Sequence, residues 1–211
     1  MTTPEELALA ATAGARAVGL VGPMPSGPGV LDDAAVGALA RVTPPGCPPI
    51  LLTSRPSAAA IAAQVRAAGV PAVQVCRPLP PAEVVALRRL LPPPLRVVHV
   101  VFVDGPQALD RARALAPHAD GILLDSGAPQ AETPLLGGTG RVHDWGLSAE
   151  IRAAVDVPVF LAGGLRPENV EAAVRAVRPA WVDVCSGLRP QGGLDPARLT
   201  AFVRAVAAGV R

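Results

Sequence analysis

The chain has 211 residues, of which 50% are hydrophobic, 17% charged and 2% aromatic, with a mean hydropathy of +0.39 and a net charge of +2. That length suits one domain of barrel or doubly wound size, spanning 1–211, with a core built from Ala, Val, Leu and Ile. All 19 basic residues are Arg, scattered without a basic run, which argues against nucleic acid as a partner. No apolar stretch approaches the roughly 20 residues needed to span a bilayer, so no membrane association is expected.

The chain opens on a helical pattern over residues 4–13, where Thr3-Pro4 places a potential N-cap before a first-turn proline. Glu5 and Glu6 sit where a signal peptide would carry basic residues, so the segment does not read as one. Strand-like runs follow at 17–21, 50–53, 72–75, 97–103, 121–124, 157–162 and 181–185. They are near-continuous in Val, Leu and Ile, the pattern of strands covered on both faces. Between and after them lie helical patterns at 33–41, 58–68, 81–91, 106–116, 147–155, 167–177 and 196–208, with apolar residues at i, i+3, i+4 spacing. Such alternation predicts a parallel sheet with helices outside it.

The fold class is therefore α/β, a (β/α)8 TIM barrel lacking its first strand in this chain. Eight helices stand against seven strands, and a barrel should open on a strand. The runs at 17–21 and 181–185 should then flank a gap with unpaired backbone groups. An open doubly wound sheet, which tolerates edges, is the alternative.

The chemistry concentrates in LLDSGAPQAETPLLGGTGRVHDW, residues 123–145. An apolar run ends in Asp125, and a polar loop then closes on Gly137, Gly138, Thr139 and Gly140. An acid at a strand tip facing a glycine-rich loop is how such barrels place a proton-transfer group, although a lone Asp more often only caps a turn. Two later strands end in small-residue turns, Gly163-Gly164 and Ser186-Gly187, each before a helix. Glycine lets backbone N–H groups approach an anion, and barrels recurrently bind phosphate there. No GxxxxGK[ST] loop or GxGxxG fingerprint is present, which disfavours nucleotide chemistry.

His99, His118 and His143 have no second ligand at metal spacing, so no metal is expected. Cys47, Cys76 and Cys185 are far apart; their odd number points to reduced thiols and a cytoplasmic protein, and all three read as packing residues. Asp144 is expected to cap the sixth helix, and Trp181 to pack in the core.

The order and spacing of LLDS, GGTG, HDW, LAGGLRPENV, DVCSG and LDPARLTAF resemble the second half of phosphoribosylanthranilate isomerase, most strongly from about Asp120 to Phe202. Earlier segments, TTPEELALAATAGARAVGLV and VPAVQVC, are similar to it more weakly. The resemblance implies an Amadori rearrangement on the way from anthranilate to tryptophan, with a phosphosugar substrate, no cofactor, and a monomer or homodimer. It places Asp125 on the general acid and Gly163, Gly164, Ser186 and Gly187 on the phosphate turns. Asp183 lies on the strand beneath those turns, and Gly137 and Gly138 fall in the loop beside the substrate.

The pattern breaks in three places. The family's general base is a Cys at the end of strand one, and Met1 stands just where that motif should have finished. Its Ser-Pro-Arg segment, whose Arg holds the anthranilate carboxylate, reads Ser26-Gly27-Pro28, leaving Arg55 as the substitute; the family's His after strand four is Cys76, and Arg189 stands where an acid is usual. Either the native protein starts upstream and supplies the strand and its Cys, or the chain is a re-purposed or catalytically impaired phosphosugar-binding barrel.

Overall fold

A computed structural model of the chain describes residues 1–25, 29–127, 140 and 142–210. Its elements alternate as expected: α1 (Pro4–Thr12), β1 (Val18–Val21), α2 (Asp33–Val42), β2 (Pro49–Thr53), α3 (Ala58–Ala68), β3 (Ala72–Val75), α4 (Pro81–Leu90), β4 (Arg96–Phe102), α5 (Ala108–Leu115), β5 (Gly121–Asp125), α6 (Trp145–Ala153), β6 (Val159–Leu161), α7 (Val170–Val177), β7 (Trp181–Val182) and α8 (Pro196–Gly209). All strand pairs are parallel and the spatial order is the chain order, β1 through β7. A doubly wound sheet reverses its strand order at a switch point. Strict succession instead winds the sheet in one direction, as a barrel does, and leaves β1 and β7 as edges among the described residues.

Side-chain alternation sorts the strands into an inner and an outer face. Val98, Val100 and Phe102 of β4 join Cys76, Leu123 and Ala162 in one buried cluster inside the curl. Their alternates, Val101 and Val103, pack outward with Ile122, Leu124 and the apolar stripes of the later helices, including Ile151, Val170 and Phe202. A third cluster holds the first half together, with Leu7, Leu20, Leu51, Ile61 and Val73 fully covered. Each such residue contributes about 1.5–3 kcal/mol of burial.

The helix starts are set by side-chain caps. Thr3, Asp32, Ser57, Asp144 and Asp195 each accept hydrogen bonds from backbone N–H groups of the following turn. Asp144 does so at 2.8 Å from Gly146 and 3.2 Å from Leu147, the capping role expected for it. Two expected helices begin later than proposed, at Ala108 and Val170, because Pro106 and Pro167 sit in turns rather than in the first helical position. Trp181 departs from its expected place in the core. It is 44% exposed and stacks on Phe160 at a ring-centroid distance of 6.1 Å, because an edge strand offers it only one neighbour.

An ion pair joins the two ends of the sheet. Glu6 on α1 accepts from Arg189, in the turn after β7, at 2.6 and 2.8 Å, and both side chains are largely buried. Hydrogen bonds from Arg189, outweighing the opposing effect of burial, lower the Glu6 carboxyl to about 2. No helix among the described residues is long and apolar enough to cross a membrane.

Candidate active site

The site forms at the C-terminal tips of β5, β6 and β7. β5 is buried along its whole length and ends in Asp125. Backbone pairing fixes that carboxylate: its carbonyl accepts from Val103 at 2.9 Å, and its Oδ1 accepts from the Ser126 N–H at 2.7 Å. Burial raises the Asp125 carboxyl from 3.8 to about 6; the Ser126 hydrogen bonds oppose this and the neighbouring Asp183 charge adds to it. A carboxylic acid tuned towards neutral pH can donate a proton that an ordinary surface Asp has already lost.

Asp183 follows β7 directly, its N–H bonded to Leu161 O at 2.8 Å. It lines the cleft beside Asp125 and its surface is exposed there. Its carboxyl is also raised, chiefly by desolvation. Both carboxyls are thus raised in one cleft, Asp183 against the opposing pull of the Met1 ammonium.

The two glycine turns close the cleft on the other side. Gly163 and Gly164 take φ values of +81° and +62°, which side-chain-bearing residues rarely adopt. A Cβ on Gly163 would lie 2.8 Å from His143 Nδ1 and 3.0 Å from Ser126 Oγ. Asn169 clips this turn, donating to Gly164 O at 3.0 Å and accepting from the Arg166 N–H at 2.8 Å. On the second turn, a Cβ on Gly187 would drive into Leu165 O, so glycine there permits the two turns to touch. Arg198 Nε holds the Gly187 carbonyl at 2.8 Å.

The structure thus brings Asp125, Gly163, Gly164, Asp183 and Ser186 onto one small cleft of about 40 Å³, with Gly187 just behind. Gly137 and Gly138 lie outside the described residues. Arg55 stands apart from this cleft, at the end of β2, and its Nη2 pairs with Asp33 Oδ2 at 2.6 Å. No group of three or more His, Cys, Asp or Glu among the described residues is placed to hold a metal.

Two residues that sequence reasoning set aside belong here. Cys185, expected to be inert packing, is exposed and lines the cleft, unlike the buried Cys47 and Cys76. Its signal was available, since Cys185 is two residues from Asp183 and a strand turns such residues to one face. His143 abuts Gly163, and neither of its ring nitrogens has a hydrogen-bond partner among the described residues. Nothing in the spacing of a lone His reveals that.

The family model for N-(5'-phosphoribosyl)anthranilate (PRA) isomerase matches residues 54–205. The chain belongs to the PRA isomerase family. It is 35% identical over 206 residues to the isomerase of Haloarcula marismortui, covering 97% of this chain and 92% of that one. It is 40% identical over 138 residues to that of Methanothrix thermoacetophila, a match spanning 64% of this chain and 60% of the relative. The solved PRA isomerase of Thermococcus kodakaraensis superposes with a TM-score of 0.79 at 30% identity, covering 98% and 95% of the two chains. Within this family the open, seven-stranded curl is a (β/α)8 barrel with seven of its strands among the described residues, and Asp125 and both glycine turns fall inside the matched region.

Proposed function

We propose that this chain catalyses the Amadori rearrangement of N-(5'-phosphoribosyl)anthranilate to its 1-deoxyribulose 5-phosphate product in tryptophan biosynthesis, with Asp125 as the general acid. The observation that carries the reading is a buried carboxyl at about 6, set in the same cleft as the glycine turns at the tips of the two following strands. The substrate phosphate sits on the backbone of Gly163, Gly164, Ser186 and Gly187, and its ribose extends towards β5. Asp125 gives its proton to the ring oxygen as the C1–O bond breaks, and the anthranilate nitrogen supplies the electron pair that forms the Schiff base. Loss of the C2 proton then yields an enolamine, which takes a proton at C1 and releases its C2 hydroxyl proton to give the ketose.

The second step needs a base at C2, which the family resemblance assigns to a Cys on strand one. Among the described residues, Asp183 and Cys185 face the cleft and can accept a proton. Desolvation raises both groups, and a carboxyl starts from the lower ordinary value, so Asp183 is the better base of the two. Gly137 and Gly138 complete the substrate-binding loop. Arg55 takes the anthranilate carboxylate by exchanging Asp33 for it, a low-cost exchange because that pair is half-exposed. The reaction uses no cofactor, and the protein works in the cytoplasm as a monomer or homodimer.

Among the described residues the thiol facing the cleft, Cys185, is raised rather than lowered, which favours a second reading, a phosphosugar-binding barrel without turnover. One assay separates them. Loss of anthranilate-type fluorescence on incubation with the substrate, abolished in Asp125→Asn, supports the isomerase. Phosphosugar binding by calorimetry with no fluorescence change supports the binding protein. Equal turnover in Asp125→Asn and wild type would overturn the catalytic assignment.

A further inference from the structure

α4 packs on α3 and α5 on α6, and it is chiefly the short helical turn at 116–118, directly after α5, that brings α4 and α5 together over the outer face of β4. Between them lies a cavity of about 320 Å³, walled by apolar side chains that include Leu79, Val84, Val85, Val101 and Leu115. That volume falls at the lower end of the roughly 300–1,000 Å³ of small-molecule sites, too small for a packed helix. Its lining excludes Asp125 and the glycine turns, so it is separate from the cleft described above.

His99 lies on the floor. It alternates with Val98 and Val100 of the inner cluster, so it faces the helices, and it is 3% exposed. Its Nε2 is buried and has no hydrogen-bond partner among the described residues. Burial, with a smaller contribution from His118, lowers its pKa to about 4, so the ring is neutral at pH 7, with one nitrogen able to donate and the other to accept. Such atoms are ordinarily satisfied by protein, water or ligand, and an unpaired one on a cavity floor marks where a ligand's polar group belongs.

The mouth carries the second indication. Arg77, Arg111 and Asp104 line it, two cations against one anion. Arg111 Nη2 is engaged by Asp104 and by Phe102 O. Arg77 is exposed and forms no ion pair or hydrogen bond with the described residues. Apolar walls, one buried hydrogen-bonding site and a free guanidinium at the rim together specify an amphipathic anion.

We propose that the cavity between α4 and α5 is a second binding site, which takes a small carboxylic acid with a one- or two-ring body bearing an N–H or O–H group. The ring body fills the apolar space, the N–H or O–H meets His99, and the carboxylate meets Arg77. A phosphosugar is unsuited to it, because its hydroxyls would be buried against Val and Leu.

Calorimetry on the full chain with indole-3-carboxylate as probe tests this. Saturable one-to-one binding is expected, about tenfold weaker in His99→Leu and about tenfold weaker in Arg77→Gln. Indole itself should bind equally to wild type and Arg77→Gln. Ala114→Trp, from an exposed position on α5 that lines the cavity, should abolish binding, and Val85→Phe does the same should the first variant not fold. Imidazole ¹⁵N signals of His99 should move on titration in wild type. Absence of saturable binding overturns the proposal; so does binding retained in the cavity-filling variant, which would place the probe at the anthranilate end of the isomerase cleft. The readout is independent of turnover, so failure here leaves the isomerase reading untouched.

Discussion

The strand tips of the two halves of this sheet treat their polar side chains in opposite ways. At the end of β2, Thr53 donates to Gln64 Oε1 at 2.6 Å, Gln64 donates to Asp33 Oδ1 at 2.6 Å, and Arg55 pairs with Asp33 Oδ2 at 2.6 Å. Every member of that group spends its hydrogen bonds on another member. At the ends of β5 to β7, Asp125 and Asp183 line one cleft without a salt bridge among the described residues, and desolvation raises both, opposed at Asp183 by the Met1 ammonium. A satisfied polar cluster fixes a loop, whereas carboxyls raised without an ion-pair partner are suited to exchanging protons. The difference separates structure from chemistry within one sheet.

The largest effect that would break this contrast lies at Asp125. Asp125→Asn should cut turnover by roughly 10²–10⁴-fold, the range of a lost general acid. Because the folded value near 6 exceeds the ordinary 3.8, the native state binds more protons than the unfolded chain between them. Wild-type stability therefore falls as pH rises from about 4 to 6, by roughly 2 kcal/mol, and levels off above that. Chemical denaturation at pH 4.5 and pH 7.5 should show this loss in wild type and not in Asp125→Asn. The same proton gives kcat/KM an alkaline limb near pH 6. Asp183→Asn should move that limb to lower pH, since it removes a neighbouring negative charge; an unmoved limb would mean the two carboxyls do not sense each other.

Next in size is Gly187→Ala. The added methyl collides with Leu165 O, which must withdraw or push the two turns apart. About 3 kcal/mol of destabilisation is expected, as for other forced overpacking. KM for the phosphosugar should rise by about two orders of magnitude, since the turns present their N–H groups jointly. A normal KM in a destabilised protein would show that the second turn serves packing alone.

Much of this contrast was legible in the sequence, for definable reasons. The strands read as continuous Val, Leu and Ile because both faces are covered, and the glycine turns read because positive φ and close approach restrict residue choice. The end of the last strand did not. Residues 183–185 are strand-like in composition, but β7 stops at Val182 because ladder pairing, not composition, defines a strand. Cys185 was misjudged for a related reason: burial of a Cys depends on what packs over the edge it sits on. The gap between α4 and α5 left no trace either, since apolar spacing tells which face of each helix is buried and not how far apart two helices stand.

The two halves are tied by Glu6 and Arg189, and Glu6→Gln should cost about 2 kcal/mol, because it strands a largely buried guanidinium. Glu6 has its carboxyl lowered from 4.5 to about 2, so its contribution is present above about pH 4.5 and is lost as pH falls towards 2. Denaturation midpoints of wild type and Glu6→Gln should converge across that acid window. Parallel midpoints down to pH 2 would show that the pair adds nothing to closing the ends of the sheet.

The smallest expected effect sharpens the comparison most, because it falls on the one member of the β2 cluster with a proposed role in binding. Arg55 is over one-third exposed and its partner Asp33 nearly half, so the pair is worth about 0–1 kcal/mol. Arg55→Gln should therefore leave the midpoint of unfolding within about 1 kcal/mol of wild type. If the guanidinium exchanges Asp33 for the substrate carboxylate, KM rises about tenfold with kcat unchanged, because the contact is made equally in ground and transition states. Asp33→Asn frees the same guanidinium and should lower KM by a few-fold. The pair of variants moving KM in opposite directions is the signature of exchange. Unchanged KM in both would leave the β2 cluster wholly structural, and all substrate recognition with the second half of the sheet.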